Sequence, residues 1–338
     1  MLAAAVSKSD RGRVLHWVDT AKGIGIILVV FGHLLYGSDL PLLNRFIYSF
    51  HMPLFFVLSG FLQKERKRID EYINRVIKRL LCPFILYAIV GVPFFGFLWR
   101  GRYASTLNFL MDSFYVNGKI TNNPLWYLAV LFEIHLLMTL LKITERKIKS
   151  QLIILVFCLL GGFLVYHYRK QFYYFNLFGL NRMIVCSGFY IIGIVLRKIE
   201  ISSRQWAIMA IPSLIMTIIF GLVLNTKVSI YGFSLGVYYY FVIAAISGCI
   251  FVFAVSNLFL NKKNCIEFPS QYGVLLIGTQ YFVIVPFRMF MKRALLTKTI
   301  YYDCAMIIVA LFVLIVIPLI YNKAKERFKI IKIMNGEI

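Results

Sequence analysis

Residues 17–37 read WVDTAKGIGIILVVFGHLLYG, and residues 45–63 read RFIYSFHMPLFFVLSGFLQ. Each run is long and apolar enough to cross roughly 30 Å of hydrocarbon at about 1.5 Å per helical residue. In lipid every backbone N–H and C=O must be satisfied within its own segment, so such a run is a helix. The alternating period of a barrel strand is absent. Working outward, apolar blocks fall at 17–37, 45–62, 80–99, 124–141, 151–168, 183–197, 206–224, 234–260, 271–290 and 302–322. The expected fold is therefore all-α, a polytopic membrane protein with about ten transmembrane helices. The block from 234 is longer than a bilayer requires, which predicts a tilt or a break near Gly248. Neither a soluble domain nor an internal repeat is evident. Residues 1–338 are read as a single transmembrane domain, with a polar segment at 1–16 and a basic tail at 323–338.

Composition agrees. Apolar residues make up 60% of the 338 and charged residues only 15%, against roughly a quarter in soluble globules. The net charge of +23 raises nucleic acid as a partner, but the basic residues stand at the ends of apolar blocks, where they orient helices. Nucleic-acid binding is excluded on that ground. With the N-terminus in the cytoplasm, Lys and Arg divide about two to one in favour of the inner side, which places both termini inside. Arg288, Lys292, Arg293 and Lys298 run against this bias, since they fall outside. The opening MLAAAVSKSDRGR is polar and basic, so no cleavable signal peptide is expected. The six cysteines are scattered without metal-ligand spacing and read as inert; no metal is expected.

Ionisable groups inside a membrane are costly, and function is sought among them first. The first block carries Asp19, Lys22 and His33; the second carries His51 and Ser59. Lys22 and His33 are eleven residues apart, about 20° past three full turns, so both side chains share one face about 16 Å apart along the axis. His33 and His51 lie symmetrically about a turn near residue 42, which puts them at similar depth in an antiparallel hairpin. This pattern suits a channel with a cationic mouth and a base deeper inside. Lys22 could hold the phosphates of acetyl-CoA while its thin arm extends toward His33, whose imidazole could deprotonate a sugar hydroxyl attacking the thioester. Glu133 in the fourth block could orient an imidazole, as the third member of a triad does. Other readings stand beside these. His51 could be an interhelical hydrogen bond, Lys22 could snorkel to the interface, and Asp19 pairs with Lys22 or caps the first turn. His135 and His167 read as structural. Arg75 and Arg79, spaced i, i+4 ahead of Pro83, suit either bidentate phosphate contacts or anionic lipid.

WVDTAKGIGIILVVFGH followed by YSFHMPLFFVLSGF resembles the membrane-bound acyltransferase family 3, in particular its fucose 4-O-acetylase-like branch. The basic residue and histidine of that family's first helix are matched by Lys22 and His33, and its His-Met-Pro run by His51 through Gly60. Weaker matches are Arg75, Arg79 and Pro83, the PLWYL stretch from Pro124 to Leu128, and GFYIIGIVLRK at 188–198. The resemblance implies a single transmembrane acyltransferase domain in the cell membrane of a bacterium. It implies transfer of an acyl group, commonly acetyl from cytoplasmic acetyl-CoA, to a sugar or polysaccharide of the cell envelope. The site it implies has His33 and His51 as catalytic residues and Lys22, Arg75 and Arg79 toward the donor, to which the triad argument above adds Glu133 as a third catalytic candidate. One departure is Gln280, where the family often has a histidine; an amide can bind substrate but cannot act as a base. The competing class is a transporter or flippase for a lipid-linked glycan, which polar groups at mid-membrane would also suit. Internal symmetry and matched broken helices would favour it, and neither is present.

Overall fold

The computed structural model describes residues 16–64, 68–99, 105–171, 177–260 and 262–337. Among these residues ten helices are long and apolar enough to cross a membrane: α1 (His16–Gly37), α2 (Pro41–Leu62), α3 (Ile69–Leu98), α4 (Asn123–Leu140), α5 (Ile148–His167), α6 (Leu177–Leu196), α7 (Ser203–Val223), α8 (Tyr238–Phe259), α9 (Cys265–Arg293) and α10 (Ile300–Arg327). The fold is the all-helical polytopic one expected. His16 at the start of α1 meets Glu267 at the start of α9, 2.9 Å apart, and Asn322 near the end of α10 donates to the Tyr272 hydroxyl at 2.7 Å. The described chain therefore begins and ends at the same end of the bundle. The N-terminal segment lies outside the described residues, apart from His16 itself.

Two expectations change. The block at 80–99 is the second half of a longer helix. The amphipathic stretch Ile69–Val76 continues through a π turn at Ile77–Leu81 into Cys82–Leu98, with Tyr72 and Val76 buried and Arg75 and Arg79 exposed. The block from 234 is not overlong, because its first residues belong to a loop and the helix runs unbroken over 22 residues. Gly248 is there for contact: a Cβ would stand 2.3 Å from the Phe50 ring of α2. The basic tail at 323–338 has a defined place. A 3-10 segment, Lys329–Asn335, folds back on the bundle, where the Tyr87 hydroxyl donates to the Met334 carbonyl at 2.9 Å. Asn335 also accepts from the Leu275 N–H at 3.2 Å and donates to the Gln271 carbonyl at 2.8 Å, satisfying backbone groups near the start of α9.

Burial separates a centre from a periphery. In the best apolar window of α2 and of α6, 67% of residues are buried, against 11% in α5, whose apolar surface is left for lipid. Glycines bring α2 and α6 together. A Cβ on Gly60 would stand 1.9 Å from the Tyr190 carbonyl oxygen, and one on Gly193 would stand 2.0 Å from that of Val57. Backbones approach this closely in membranes only where small residues face each other.

Candidate functional site

Beside the central helices is a cavity of about 250 Å³ whose wall includes both histidines. From α1 come Val29, His33 and Tyr36, each one helical turn from the next; from α2 come Tyr48, His51, Met52 and Phe55, again on one face. The start of α4 adds Asn123, Pro124, Trp126 and Tyr127, and α9 adds Ile277, Tyr281 and Arg288. The remaining wall is the loop between α7 and α8, through Ser229, Ile230 and Tyr231. Arg182 of α6 pins that loop. It is almost fully buried, and its Nε donates to the Tyr231 carbonyl at 3.0 Å while Nη2 makes a second bond to the same oxygen. The Tyr231 hydroxyl donates to the Ile120 carbonyl at 3.0 Å, tying the loop to the approach to α4.

The two imidazoles are held differently. His51 Nδ1 lies 2.8 Å from the Ile47 carbonyl one turn earlier. A carbonyl only accepts, so Nδ1 carries the proton and the free lone pair is on Nε2. His33 Nδ1 lies 3.4 Å from the Tyr48 hydroxyl and 3.3 Å from that of Tyr281, with the Tyr281 ring edge-on at 4.9 Å. A hydroxyl can donate or accept, so this arrangement serves either tautomer of His33. Tyr48 touches both histidines, its ring 4.8 Å from His51. The hairpin thus brings His33 and His51 to one cavity, as their symmetric placement predicts.

The other expected residues lie elsewhere. Lys22 donates to Asp19 at 2.9 Å across one turn, the structural pairing anticipated for Asp19, and does not line this cavity. The cavity wall reaches down α1 only to Val29, seven residues and roughly 10 Å from Lys22. The single open groove expected between Lys22 and His33 is therefore absent among the described residues, and the two side chains have different surroundings. Arg75 and Arg79 are exposed at the Lys22 end of the bundle, where Trp17 of α1 packs on Phe61 of α2 at 5.1 Å. Glu133 contacts neither imidazole. It lies seven residues beyond Trp126 on α4, so it is on the right face but too deep, and its Oε2 is buried without a hydrogen-bond partner among the described residues. The orienting role expected of it belongs to the Ile47 carbonyl for His51 and to two tyrosines for His33. His135 is structural as expected, with Nδ1 at 2.6 Å from Tyr72 and 2.9 Å from Tyr190 hydroxyls. Gln280 is buried with neither amide atom paired among the described residues, and the next residue, Tyr281, is the one that lines the cavity.

Tyr36, Tyr48, Trp126, Tyr281, Arg182 and Arg288 escape a reading based on ionisable groups in the first two helices. Helical periodicity reaches some of them: Tyr36 is three residues from His33, Tyr48 three from His51, and Ile277, Tyr281 and Arg288 are spaced four and seven along α9.

With this geometry in view, comparison with known proteins defines the class. Residues 15–320 match the family model described as "Acyltransferase domain", and the chain belongs to that family. Among individual proteins it is similar to nodulation protein NolL of Mesorhizobium japonicum, 39% identical over 80 residues, a match covering 20% of this chain and 21% of that protein. The likeness therefore spans about a fifth of the relative's length. No solved structure matches the chain significantly.

Proposed function

We propose that this protein is a membrane-bound O-acyltransferase that moves an acyl group, acetyl in the simplest case, from acyl-CoA to a hydroxyl of a sugar acceptor. The observation that carries the reading is the meeting of two tethered imidazoles in one cavity walled by aromatic rings, in a chain of the acyltransferase family. Tyr36, Trp126 and Tyr281 offer ring faces and edges to the C–H faces of a sugar, and the tyrosine hydroxyls and Asn123 offer hydrogen bonds to its hydroxyls.

In the proposed step His33 is the general base. Its Nδ1–H donates to a tyrosine hydroxyl, leaving the Nε2 lone pair to take the proton of the attacking hydroxyl. The hydroxyl oxygen bonds to the thioester carbonyl carbon, the C–S bond breaks, and His33 returns the proton to the leaving thiolate, giving ester and free CoA thiol. His51 Nε2 accepts a hydrogen bond from a second hydroxyl of the same sugar and so fixes which oxygen reacts. The excess of Lys and Arg supports a cytoplasmic location for the ends of the described chain, in the cell membrane of a bacterium. Lys22, Arg75 and Arg79 then face the cytoplasm, where they suit the phosphates of acyl-CoA. On this reading the acyl arm reaches the cavity through its floor of Val29, Met52, Phe55 and Ile277, of which Met52 is unbranched and the freest to rotate aside. The test is direct. Purified protein in nanodiscs releases free thiol from acetyl-CoA when envelope glycan is supplied, and cells lacking the protein lose an acyl group from that glycan by mass spectrometry. Unchanged glycan and intact acetyl-CoA would overturn the reading.

A further inference from the structure

The cavity that holds the histidines continues into a second of about 590 Å³, with Tyr36, Asn123, Tyr281 and Arg288 in both walls. This vestibule lies at the end of the bundle opposite Lys22. Its α9 wall carries Arg288 and, one turn on, Lys292 and Arg293, with Trp99 and Tyr302 across from them. Among the described residues no carboxylate lines either cavity, and none forms an ion pair with these three cations. Lys227 adds a fourth, its ammonium 3.9 Å from the centre of the Tyr36 ring; Arg288 lies 5.3 Å from that ring. Tyr36 thus stands between two cations at the junction of the cavities.

The same cations are the ones that contradict the charge bias of the sequence. Three of the four basic residues at 288–298 that fall on the outer side line this vestibule. Topology gives no reason to keep them there, and cations without counter-ions among the described residues, set at a narrow junction, raise the local concentration of anions. Arg288 is half-buried and belongs to the histidine cavity as well, so an oxyanion held by it would sit next to the hydroxyl being acylated.

We infer that the acceptor is an anionic saccharide, one bearing a phosphate or carboxylate that docks on Arg288, Lys292 and Arg293 while its hydroxyl is presented to the histidines. The inference rests on the acyl-transfer reading and specifies its acceptor. Arg288 supplies a planar two-donor contact to either oxyanion, and Lys292 and Arg293 supply charge at the mouth.

The test uses the full chain in phosphatidylcholine nanodiscs, where no anionic headgroup competes. Trp99 and Trp126 line the two cavities and report occupancy by fluorescence. Glucose 1-phosphate, glucuronic acid and the neutral methyl glucoside are titrated in turn. Both anionic probes are expected to bind saturably and the neutral one about ten-fold more weakly or worse, the size of one lost charge-assisted contact. Arg288→Gln and the double variant Lys292→Gln/Arg293→Gln should each weaken the anionic probes about ten-fold and leave the neutral one unchanged, with Arg288→Lys falling between. Equal binding of charged and neutral probes overturns the inference. So does anionic-probe binding that ignores both variants while the double variant strips co-purifying phosphatidylglycerol, because the cations then serve lipid headgroups only. Thiol release from acetyl-CoA is measured on the same samples. Release without charge preference sinks this inference alone, whereas absent release beside charge-selective binding sinks acyl transfer and keeps the anion site.

Discussion

Exchanging His33 for alanine and His51 for asparagine separates the two imidazoles, because their Nδ1 atoms are tethered to different partners. His51 gives its Nδ1 proton to the Ile47 carbonyl at 2.8 Å. An asparagine amide occupies nearly the same place and keeps that bond, so His51→Asn should fold normally and lose only the Nε2 lone pair. One hydrogen bond to substrate is worth about 0.5–1.5 kcal/mol, a rise of about 2- to 12-fold in the acceptor's KM with kcat little changed. His33→Ala removes the base itself. General-base catalysis contributes about 10²–10⁴-fold, or about 3–5 kcal/mol of barrier, and this loss should appear in kcat at saturating acceptor. The assay is the initial rate of thiol release from acetyl-CoA in nanodiscs across a series of envelope-glycan concentrations, with melting temperatures as a control for folding. A hundred-fold loss of kcat in His51→Asn, with His33→Ala losing less than ten-fold, would refute the assignment and make His51 the base.

Glu133→Gln should leave thiol release within about two-fold of wild type, since its carboxylate contacts neither imidazole; a loss comparable to His33→Ala would restore it to the mechanism. Gly60→Ala places a methyl 1.9 Å from the Tyr190 carbonyl oxygen and should cost about 1–3 kcal/mol, visible as a lower melting temperature, whereas Gly161→Ala meets nothing nearer than 3.5 Å and should be close to neutral. Arg182→Leu releases the Tyr231 carbonyl and should raise the acceptor's KM about ten-fold while quickening proteolysis within residues 224–237; unchanged cleavage would show that the loop is held by other means. Asn335→Ala removes two bonds at the start of α9 and should speed hydrogen exchange at the Leu275 amide, with little effect on residues of α6.

Sequence reading recovers the helices well because membrane thickness sets their length and lipid leaves the backbone no other option. It recovers the convergence of His33 and His51 because a hairpin of two antiparallel helices converts distance from the turn into depth. Its failures share one cause. Lys22 is seven residues from Val29 and Glu133 is seven from Trp126, two turns in each case, so both fall on the correct face and roughly 10 Å below the cavity floor. Periodicity gives the face of a residue and says little about where a cavity stops, which depends on side chains from other helices such as Phe55 and Ile277. The direction of opening was equally hidden, because the vestibule forms only where α3, α9 and α10 meet. The one legible hint was the group of cations at 288–298 on the unexpected side.

The glycine seam between α2 and α6 bears on how a donor could ever reach the histidines. Two backbones that touch at Gly60 and Gly193 have no side chains between them to rotate aside, so this pair behaves as a fixed post carrying His51. Its counterpart across the cavity is α9, which brings Tyr281 and Arg288 and has Pro286 between them. If the cavity widens to admit an acyl arm, the give is expected in that opposite jamb, while His51 on the post keeps its hold on the acceptor.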